Sequence, residues 1–240
     1  MTKLAKITLI LLTACIAACV AGGVLLPAYN VCFEAAILAV PTAVLFLQTK
    51  KADRSGTKVT SGKPACALLI AAFTILLTFT TPPFFSSRSL WKYPMQRAYI
   101  ACFRNVRAPA EFPDKPEEVS GDYEFEYMPS VMQGTGHYSV TYRTSPERAA
   151  AYAEEYAPKA KYTVPLSEYE VGYKVEDFTP RENSYDDGTL DVFISEIMRE
   201  GASDSAQIYV LYAALNWNHP HSTAVIVDTE TGLVQFSRLG

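Results

Sequence analysis

Residues 4–27 have the sequence LAKITLILLTACIAACVAGGVLLP, in which Lys6 is the one charged residue. The run is long enough for a membrane helix, which needs about 20 apolar residues to cross about 30 Å of hydrocarbon. Two further apolar runs follow at residues 29–48 and 65–85. Backbone polar groups find no partners in lipid, so such runs must be helical. The sequence therefore predicts three N-terminal transmembrane helices.

The basic residues around these runs predict an orientation. Lys3 precedes the first run, and Lys6 lies at its edge. The loop 49–64 carries one acidic residue, Asp53, against five basic residues: Lys50, Lys51, Arg54, Lys58 and Lys63. Because cytoplasmic loops are enriched in lysine and arginine, we expect the N-terminus and this loop inside the cell. Three crossings then place the rest of the chain outside, as an extracytoplasmic domain of a multi-pass cell-membrane protein.

The charge of the chain is divided between its two parts. Residues 1–85 carry seven Lys or Arg and two Asp or Glu, a net charge of +5. Residues 86–240 carry fourteen basic and twenty-three acidic residues, a net charge of −9. An acidic domain is repelled by nucleic acid and by anionic headgroups. We therefore expect the bilayer around the helices and a membrane protein or extracellular ligand as partners, and no nucleic acid.

Two cysteines in the first run allow a different interpretation. Leu12 to Cys15 and Ile16 to Cys19 both resemble a bacterial lipoprotein cleavage box after a basic start, so either cysteine is a candidate for lipidation. However, the chain stays apolar through Leu26, where a cleaved signal normally gives way to polar residues. Small residues at four-residue spacing also let helices approach closely, so we favour an intact helix.

Glu34 is the one carboxylate within the three runs. An ionisable residue inside a membrane is a functional hypothesis by default. Yet Glu34 lies near the end of its run, where a carboxylate reaches water at modest cost. Three short helices without an internal repeat do not resemble a transporter. We interpret them as an anchor and keep Glu34 as a candidate intramembrane functional residue.

The second part of the chain has the pattern of an α+β domain. We expect a juxtamembrane helix within residues 86–107 and the domain itself at residues 108–240. Tyrosine and phenylalanine alternate with acidic residues over 122–128, which is the period of a half-buried strand. Further strands are predicted at 138–142, 207–215, 223–227 and 233–237, and helices after Ser145 and over 190–198. This order predicts two layers, an antiparallel sheet with helices on one face.

The densest polar cluster is His219-Pro220-His221, with Asn216 and Asn218 just before it. Paired imidazoles bind metals or transfer protons. We expect the cluster in a turn between two strands, where histidines flanking a proline point apart, so His219, His221 and the remaining His137 are weak metal candidates. A hydrolase or metal-dependent enzyme using this turn is the alternative function. No nucleophile elbow, phosphate loop or dinucleotide motif is present, and no cofactor is predicted.

Tyrosine is abundant in the second part of the chain, which holds fourteen of the fifteen tyrosines. A rigid amphipathic ring suits both a core and a recognition surface. We take Tyr138 and Tyr142, with Asn216 and Asn218, as a candidate partner surface. The excess favours a ligand-binding or protein-binding accessory module over an enzyme.

A resemblance supports this interpretation. Phe112-Pro113-Asp114, the strand 123–129, Gln133-Gly134, the strand 138–142 and the segment 219–227 together resemble uncharacterised exported or membrane-anchored domains of Gram-positive bacteria. The resemblance covers about residues 110–237. It implies a bacterial origin and an outward-facing α+β domain, and it carries over no activity.

Intact-mass spectrometry of the purified protein tests the choice between anchor helix and lipoprotein. We expect a terminus at Met1 or Thr2 and no diacylglycerol, because the apolar run continues well past Cys19. A chain that begins at a lipidated Cys15 or Cys19 would instead establish the lipoprotein.

Overall fold

The computed structural model describes residues 3–25, 29–80, 84–101, 110–130, 135–169, 173–175, 190–192, 200–216 and 219–240. The chain divides into two compact units, of which the first covers Met1–Phe85 and the second begins at Ser86. Helices build the first unit, and a large β-sheet builds the second. The class is therefore α+β, as predicted.

Three helices form the first unit: α1 (Lys3–Leu25), α2 (Tyr29–Ser55) and α3 (Gly62–Thr80). Leu12 and Leu38 are buried where α1 and α2 pack together. A Cβ atom on Gly23 would lie 2.2 Å from the Sγ atom of Cys32, so this glycine allows the close approach of the two helices. Glu34 is 5% exposed, so its side chain is buried among the described residues of this unit.

Two of these helices, instead of the predicted three, are long and apolar enough to cross a membrane. They are α1 and the part of α2 over Val31–Ser55. The third apolar helix is shorter, over Gly62–Leu77. At 1.5 Å per residue this part spans about 24 Å and the whole of α3, Gly62–Thr80, about 28 Å, against about 30 Å of hydrocarbon. The length of its apolar part, and not its composition, separates α3 from the other two.

The helices of the first unit expose apolar side chains. Phe33 and Leu69 are 70% and 71% exposed. Only 17% and 28% of the most apolar windows of α1 and α2 are buried, whereas the core helix of a soluble protein is mostly buried. Lipid tails accept such faces and water does not. The two long helices therefore allow membrane anchoring.

The second unit is built on a seven-stranded antiparallel sheet of order β1-β2-β3-β9-β8-β7-β4, with a separate two-stranded sheet β5-β6. The strands are β1 (Phe85–Ser87), β2 (Tyr123–Met128), β3 (His137–Arg143), β4 (Tyr162–Pro165), β5 (Tyr173–Val175), β6 (Leu190–Val192), β7 (Gln207–Asn216), β8 (His219–Asp228) and β9 (Leu233–Leu239). The helices are α4 (Tyr93–Ala101) and α5 (Pro146–Tyr156), with short 3-10 turns at Leu90–Lys92, Ala157–Lys159 and Leu166–Glu168.

One face of the large sheet is aromatic, and we call it the aromatic face. Its register aligns Phe125 of β2 with Val140 of β3 and Phe236 of β9. Both described helices of this unit pack on that face. The ring of Tyr93 in α4 lies 5.4 Å from that of Phe125, and the ring of Tyr152 in α5 lies 5.7 Å from that of Phe236. These contacts place α4 and α5 on the same side of the sheet.

The opposite face of the sheet has its own core. Val164, Ile208 and Ile226 from β4, β7 and β8 cluster there with Leu166 and Tyr169. Farther across the sheet the same face becomes charged, because Glu124 and Glu126 of β2 occupy the positions between its buried aromatic residues. Alternation along each strand separates the two faces, as the pattern over 122–128 predicted.

Two local predictions change in the structure. Leu190–Val192 forms strand β6, paired with β5, where the start of a helix was predicted. The rest of that predicted helix lies outside the described residues. In the juxtamembrane segment, β1 joins the large sheet, and the predicted helix is described as α4 over Tyr93–Ala101. Residues 86–101 therefore belong to the sheet unit, and residues 102–107 lie outside the described part.

Asp228 closes the turn between β8 and β9. Its carboxylate is 0% exposed and accepts hydrogen bonds from the backbone N–H of Ser203 at 2.6 Å and the Thr231 hydroxyl at 2.7 Å, among others. Burial raises the pKa of this carboxyl, but the bonds from Ser203 and Thr231 outweigh it and lower the pKa to about 2. Gly232 completes the turn with φ of 72°, and a Cβ atom there would lie 2.1 Å from the Thr144 carbonyl oxygen.

Asp228→Asn should lower the free energy of unfolding at pH 7 by about 2 kcal/mol or more, because an amide cannot accept all of these bonds. The folded-state pKa is depressed, so the stabilisation is complete above the ordinary value of 3.8 and is lost as the pH falls toward 2. Denaturant unfolding from pH 7 down to 2 measures both effects.

The exposed Asp204, beside the same serines, provides the matched control. Asp204→Asn should leave stability within about 0.5 kcal/mol of the original chain. Equal stability of the Asp228→Asn chain and the original chain at pH 7 would show that this turn does not depend on the carboxylate.

Candidate functional site

A polar groove lies at one end of the large sheet. It has a volume of about 190 Å³. Its lining consists of Tyr212, Ala214, His221, Ser222, Thr223, Arg238 and Leu239. All of these residues belong to the three adjacent strands β7, β8 and β9, so a rigid scaffold holds the groove.

Strand register places three polar side chains of this groove in one row. Thr223 of β8 is paired with Arg238 of β9 on one side and with Tyr212 of β7 on the other. Directly opposed residues on antiparallel strands have Cβ atoms about 5 Å apart. The guanidinium and the two hydroxyls therefore share the aromatic face, in the row that also includes Tyr138 of β3.

An irregularity in β7 completes this row. The register shifts between Val210 and Tyr212, so that Val210 pairs with Ala224 and Tyr212 pairs with Thr223. Without the shift, Tyr212 would pair with Ser222 and take the opposite face. Bulges commonly re-aim a side chain in this way near functional sites. Tyr212 is 40% exposed, and its ring has the Lys161 ammonium 5.6 Å from its centroid.

Arg238 differs from the other described arginines of the second unit. Four of these pair with a carboxylate: Arg88 with Glu124, Arg97 with Asp114, Arg143 with Asp122, and Arg148 with Glu117. Arg238 makes no ion pair or hydrogen bond with another described residue. It is half-buried, in a unit of the chain that carries a net charge of −9. Within the described part of the chain, the groove thus presents a cation that no carboxylate pairs with, beside the hydroxyls of Thr223 and Tyr212.

The histidines do not converge. His137 faces Glu126, with its Nε2 atom 3.6 Å from Oε2. His137 aligns with Leu239 and, across β9, with Ser222. His221 is the next residue along β8, so alternation places it on the opposite face from His137. The described residues also contain no group of three or more His, Cys, Asp or Glu that could hold a metal.

The His219-Pro220-His221 segment is part of strand β8 and not of a turn. His219 and His221 were expected in a turn, but they occupy positions i and i+2 of one strand. Asn216, at the end of β7, is paired with His219. The pairing of β7 with β8 extends beyond their apolar residues to polar ones. Hydropathy alone does not predict that these polar residues belong to strands. The side chains of Asn216 and His219, and all of Asn218, lie outside the described part.

Tyr138 and Tyr142 are core residues, so they do not form the predicted partner surface. They are 4% and 0% exposed. The hydroxyl of Tyr142 donates to that of Tyr152 at 3.0 Å, and burial raises the pKa of both Tyr138 and Tyr142. Alternation puts both rings on the aromatic face, under the helices. Exposed tyrosine at the groove is supplied by Tyr212.

A second, larger cleft is lined by charged residues. It has a volume of about 580 Å³ and is lined partly by Arg88, Asp122, Glu124, Arg143 and Glu200. Arg88 and Arg143 each lie 3.6 Å from a carboxylate, Glu124 and Asp122 respectively. Burial raises the pKa of Glu124, and Arg88 opposes that shift. Because its arginines are already paired, this cleft offers a ligand less than the polar groove does.

Sequence reasoning identified His221 and missed Arg238, Thr223 and Tyr212. One signal was present in the sequence. On the aromatic face, β9 presents Val234, Phe236 and then Arg238, so its series of apolar residues ends in a cation.

Comparison of the chain with protein families, with curated proteins and with solved structures finds no match.

Zinc binding is the direct test of the histidine geometry. We expect no rise in melting temperature when the full chain is titrated with Zn²⁺, because His137 and His221 lie on opposite sheet faces and two strands apart, about 10 Å. A stoichiometric rise that disappears in both His137→Gln and His221→Gln would contradict this arrangement.

Proposed function

We propose that this chain is an integral membrane protein whose sheet unit is a ligand-binding or partner-binding module, acting through the polar groove. The observation that carries the proposal is Arg238, which pairs with no carboxylate among the residues that the structure describes and lies in one row with Thr223 and Tyr212. Cations in such sites are normally matched by a carboxylate, as Arg97 is by Asp114 at 3.1 Å. A site that leaves its arginine unmatched is suited to a partner that brings the negative charge.

The anchor in this proposal is the pair α1 and α2. Their low burial and their large exposed apolar side chains support insertion into a bilayer. A helix that is apolar on all sides must be buried in a protein core or surrounded by lipid, and lipid can contact the exposed apolar side chains of these two helices. The lysines at the start of α1 and around Lys58 support a cytoplasmic N-terminus and loop.

The side of the membrane on which the sheet unit lies depends on α3. Two crossings from an inside start return the chain to the cytoplasm at Gly62, and a further crossing is needed to place Ser86 outside. The helix runs from Gly62 to Thr80, which corresponds to about 28 Å at 1.5 Å per residue. A bilayer thins locally around a slightly short helix at modest cost. We propose that α3 crosses in this way and that the acidic unit is extracytoplasmic, in keeping with its resemblance to exported bacterial domains.

A binding module fits the groove better than a catalyst does. The groove is lined by a cation, three hydroxyl-bearing residues and one imidazole. Nucleophilic catalysis needs a base within about 3 Å of the nucleophile and a third group that orients the base. His137, which faces Glu126, lies on the opposite face of the sheet from the groove. A cation beside several hydroxyls is suited to holding an anionic group, and we therefore favour binding over the hydrolase alternative.

Cysteine labelling tests the location. In a background with the five native cysteines replaced by alanine, Lys115→Cys reports on the sheet unit and Lys58→Cys on the basic loop. A membrane-impermeant maleimide should label position 115 in intact cells and position 58 only after permeabilisation. Labelling of position 58 alone in intact cells would invert the orientation, and protection of both until permeabilisation would place the sheet unit in the cytoplasm.

Photo-crosslinking tests the groove as the contact site. A photoreactive residue replacing Tyr212 in the full chain, in native membranes, should give a discrete adduct. The same residue replacing the exposed Glu230 should not, because that position lies in the β8–β9 turn, at the opposite end of these strands from the groove. Equal adducts from the two positions would count against a groove-specific partner.

A further inference from the structure

We propose that the polar groove binds a single anionic group, a carboxylate or a phosphate, carried by a soluble ligand. This inference rests on the proposed function and adds the chemical class of the ligand. It concerns the groove formed by Tyr212, His221, Thr223 and Arg238, and not the charged cleft on the other side of the sheet.

The donors of the groove match an oxyanion. Arg238 carries five N–H donors in a planar fork and no acceptor, and this fork fits two oxygens of a carboxylate or phosphate. Thr223 lies directly beside it on β8, and Tyr212 lies beside Thr223 on β7. Their hydroxyls add two further donors in the same row. Lys161, whose ammonium lies 5.6 Å from the Tyr212 ring centroid, adds positive charge at the rim.

Charge supplies the second reason. In a unit of net charge −9, a cation finds a carboxylate readily, and four of the described arginines do so. Among the described residues, the cross-strand neighbours of Arg238 on the same face are Thr223 and Tyr138. Neither neighbour carries a negative charge. An anion from outside the chain would supply the half-buried guanidinium with a counter-charge and with hydrogen-bond acceptors.

Size limits what enters the groove. Pockets that enclose a whole small molecule are typically about 300–1,000 Å³, whereas this groove has about 190 Å³. One carboxylate or phosphate group fits, and the rest of the ligand lies outside. A soluble source is favoured over a lipid headgroup, because a unit with a net charge of −9 is repelled by an anionic bilayer surface.

Calorimetric titration of the full chain in zwitterionic nanodiscs tests the proposal. The probes are inorganic phosphate and acetate, with sodium chloride at matched ionic strength as the reference. We expect saturable binding of at least one probe. Arg238→Gln should weaken it about tenfold or more, since a charge-assisted hydrogen bond is lost. Lys115→Gln, which removes an equal charge from an exposed site outside the groove, should bind as the original chain does.

Further variants keep the test decisive. If Arg238→Gln lowers the melting temperature without probe, Thr223→Val and Tyr212→Phe each remove one hydroxyl and should weaken binding with the arginine intact. The proposal is overturned if neither probe saturates, or if all three groove variants bind as tightly as the original chain. Binding with an inverted result from cysteine labelling would overturn the proposed location and leave the anion site standing.

Nanodiscs that contain anionic phospholipid distinguish the source of the anion. Undiminished phosphate or acetate binding in these discs supports a soluble ligand. Loss of probe binding there, restored by zwitterionic lipid, would overturn the soluble source and identify a headgroup as the occupant of the groove.

Discussion

The register between β8 and β9 is the constraint on which the second unit depends. It is set at one end by the buried carboxylate of Asp228, which accepts bonds from the turn that follows and from Ser203. From that turn the pairing runs through Val225 and Phe236 to Thr223 and Arg238. A slip of one residue would exchange the two faces of the strand. The same β8–β9 register therefore places Phe236 in the core and Arg238 in the groove.

The elements that could be predicted from the sequence are those set by local chemistry. Alternation over 122–128 predicted β2, and Ser145 caps α5, with its Oγ accepting from the Arg148 N–H at 3.2 Å, as predicted. Gly232 takes a left-handed conformation, which glycine adopts readily in a turn. Each of these depends on a few neighbouring residues, so a short window of sequence contains the needed information.

The features that could not be predicted depend on pairing across the sheet. Strand β6 replaces the start of a helix because it pairs with β5, which precedes it by about fifteen residues. The groove brings together residues of three strands, and a register shift after Val210 decides that Tyr212 joins them. No periodicity within β7 marks that shift. His221 was identified from its neighbours in sequence, but its neighbours in space are different ones.

The first unit shows a similar division between composition and geometry. Its apolar runs could be recognised from composition. The side of the membrane on which the sheet unit lies depends on one helix, α3, whose apolar part is shorter than those of α1 and α2. Glu34 lies near the end of its run, and in the structure it is 5% exposed. Its burial depends on how the helices pack, which the composition of the run does not indicate.

The central claim is that Arg238 supplies the cation of an anion-binding groove. Nuclear magnetic resonance of isotope-labelled arginine in the full chain observes this group directly, through the Nε–Hε signals. The Arg238 signal is assigned by its absence from Arg238→Lys. We predict that this signal shifts and saturates on titration with phosphate or acetate, while those of the ion-paired Arg97 and Arg148 stay in place. An unmoved Arg238 signal, with movement at a different arginine or at none, would contradict the claim.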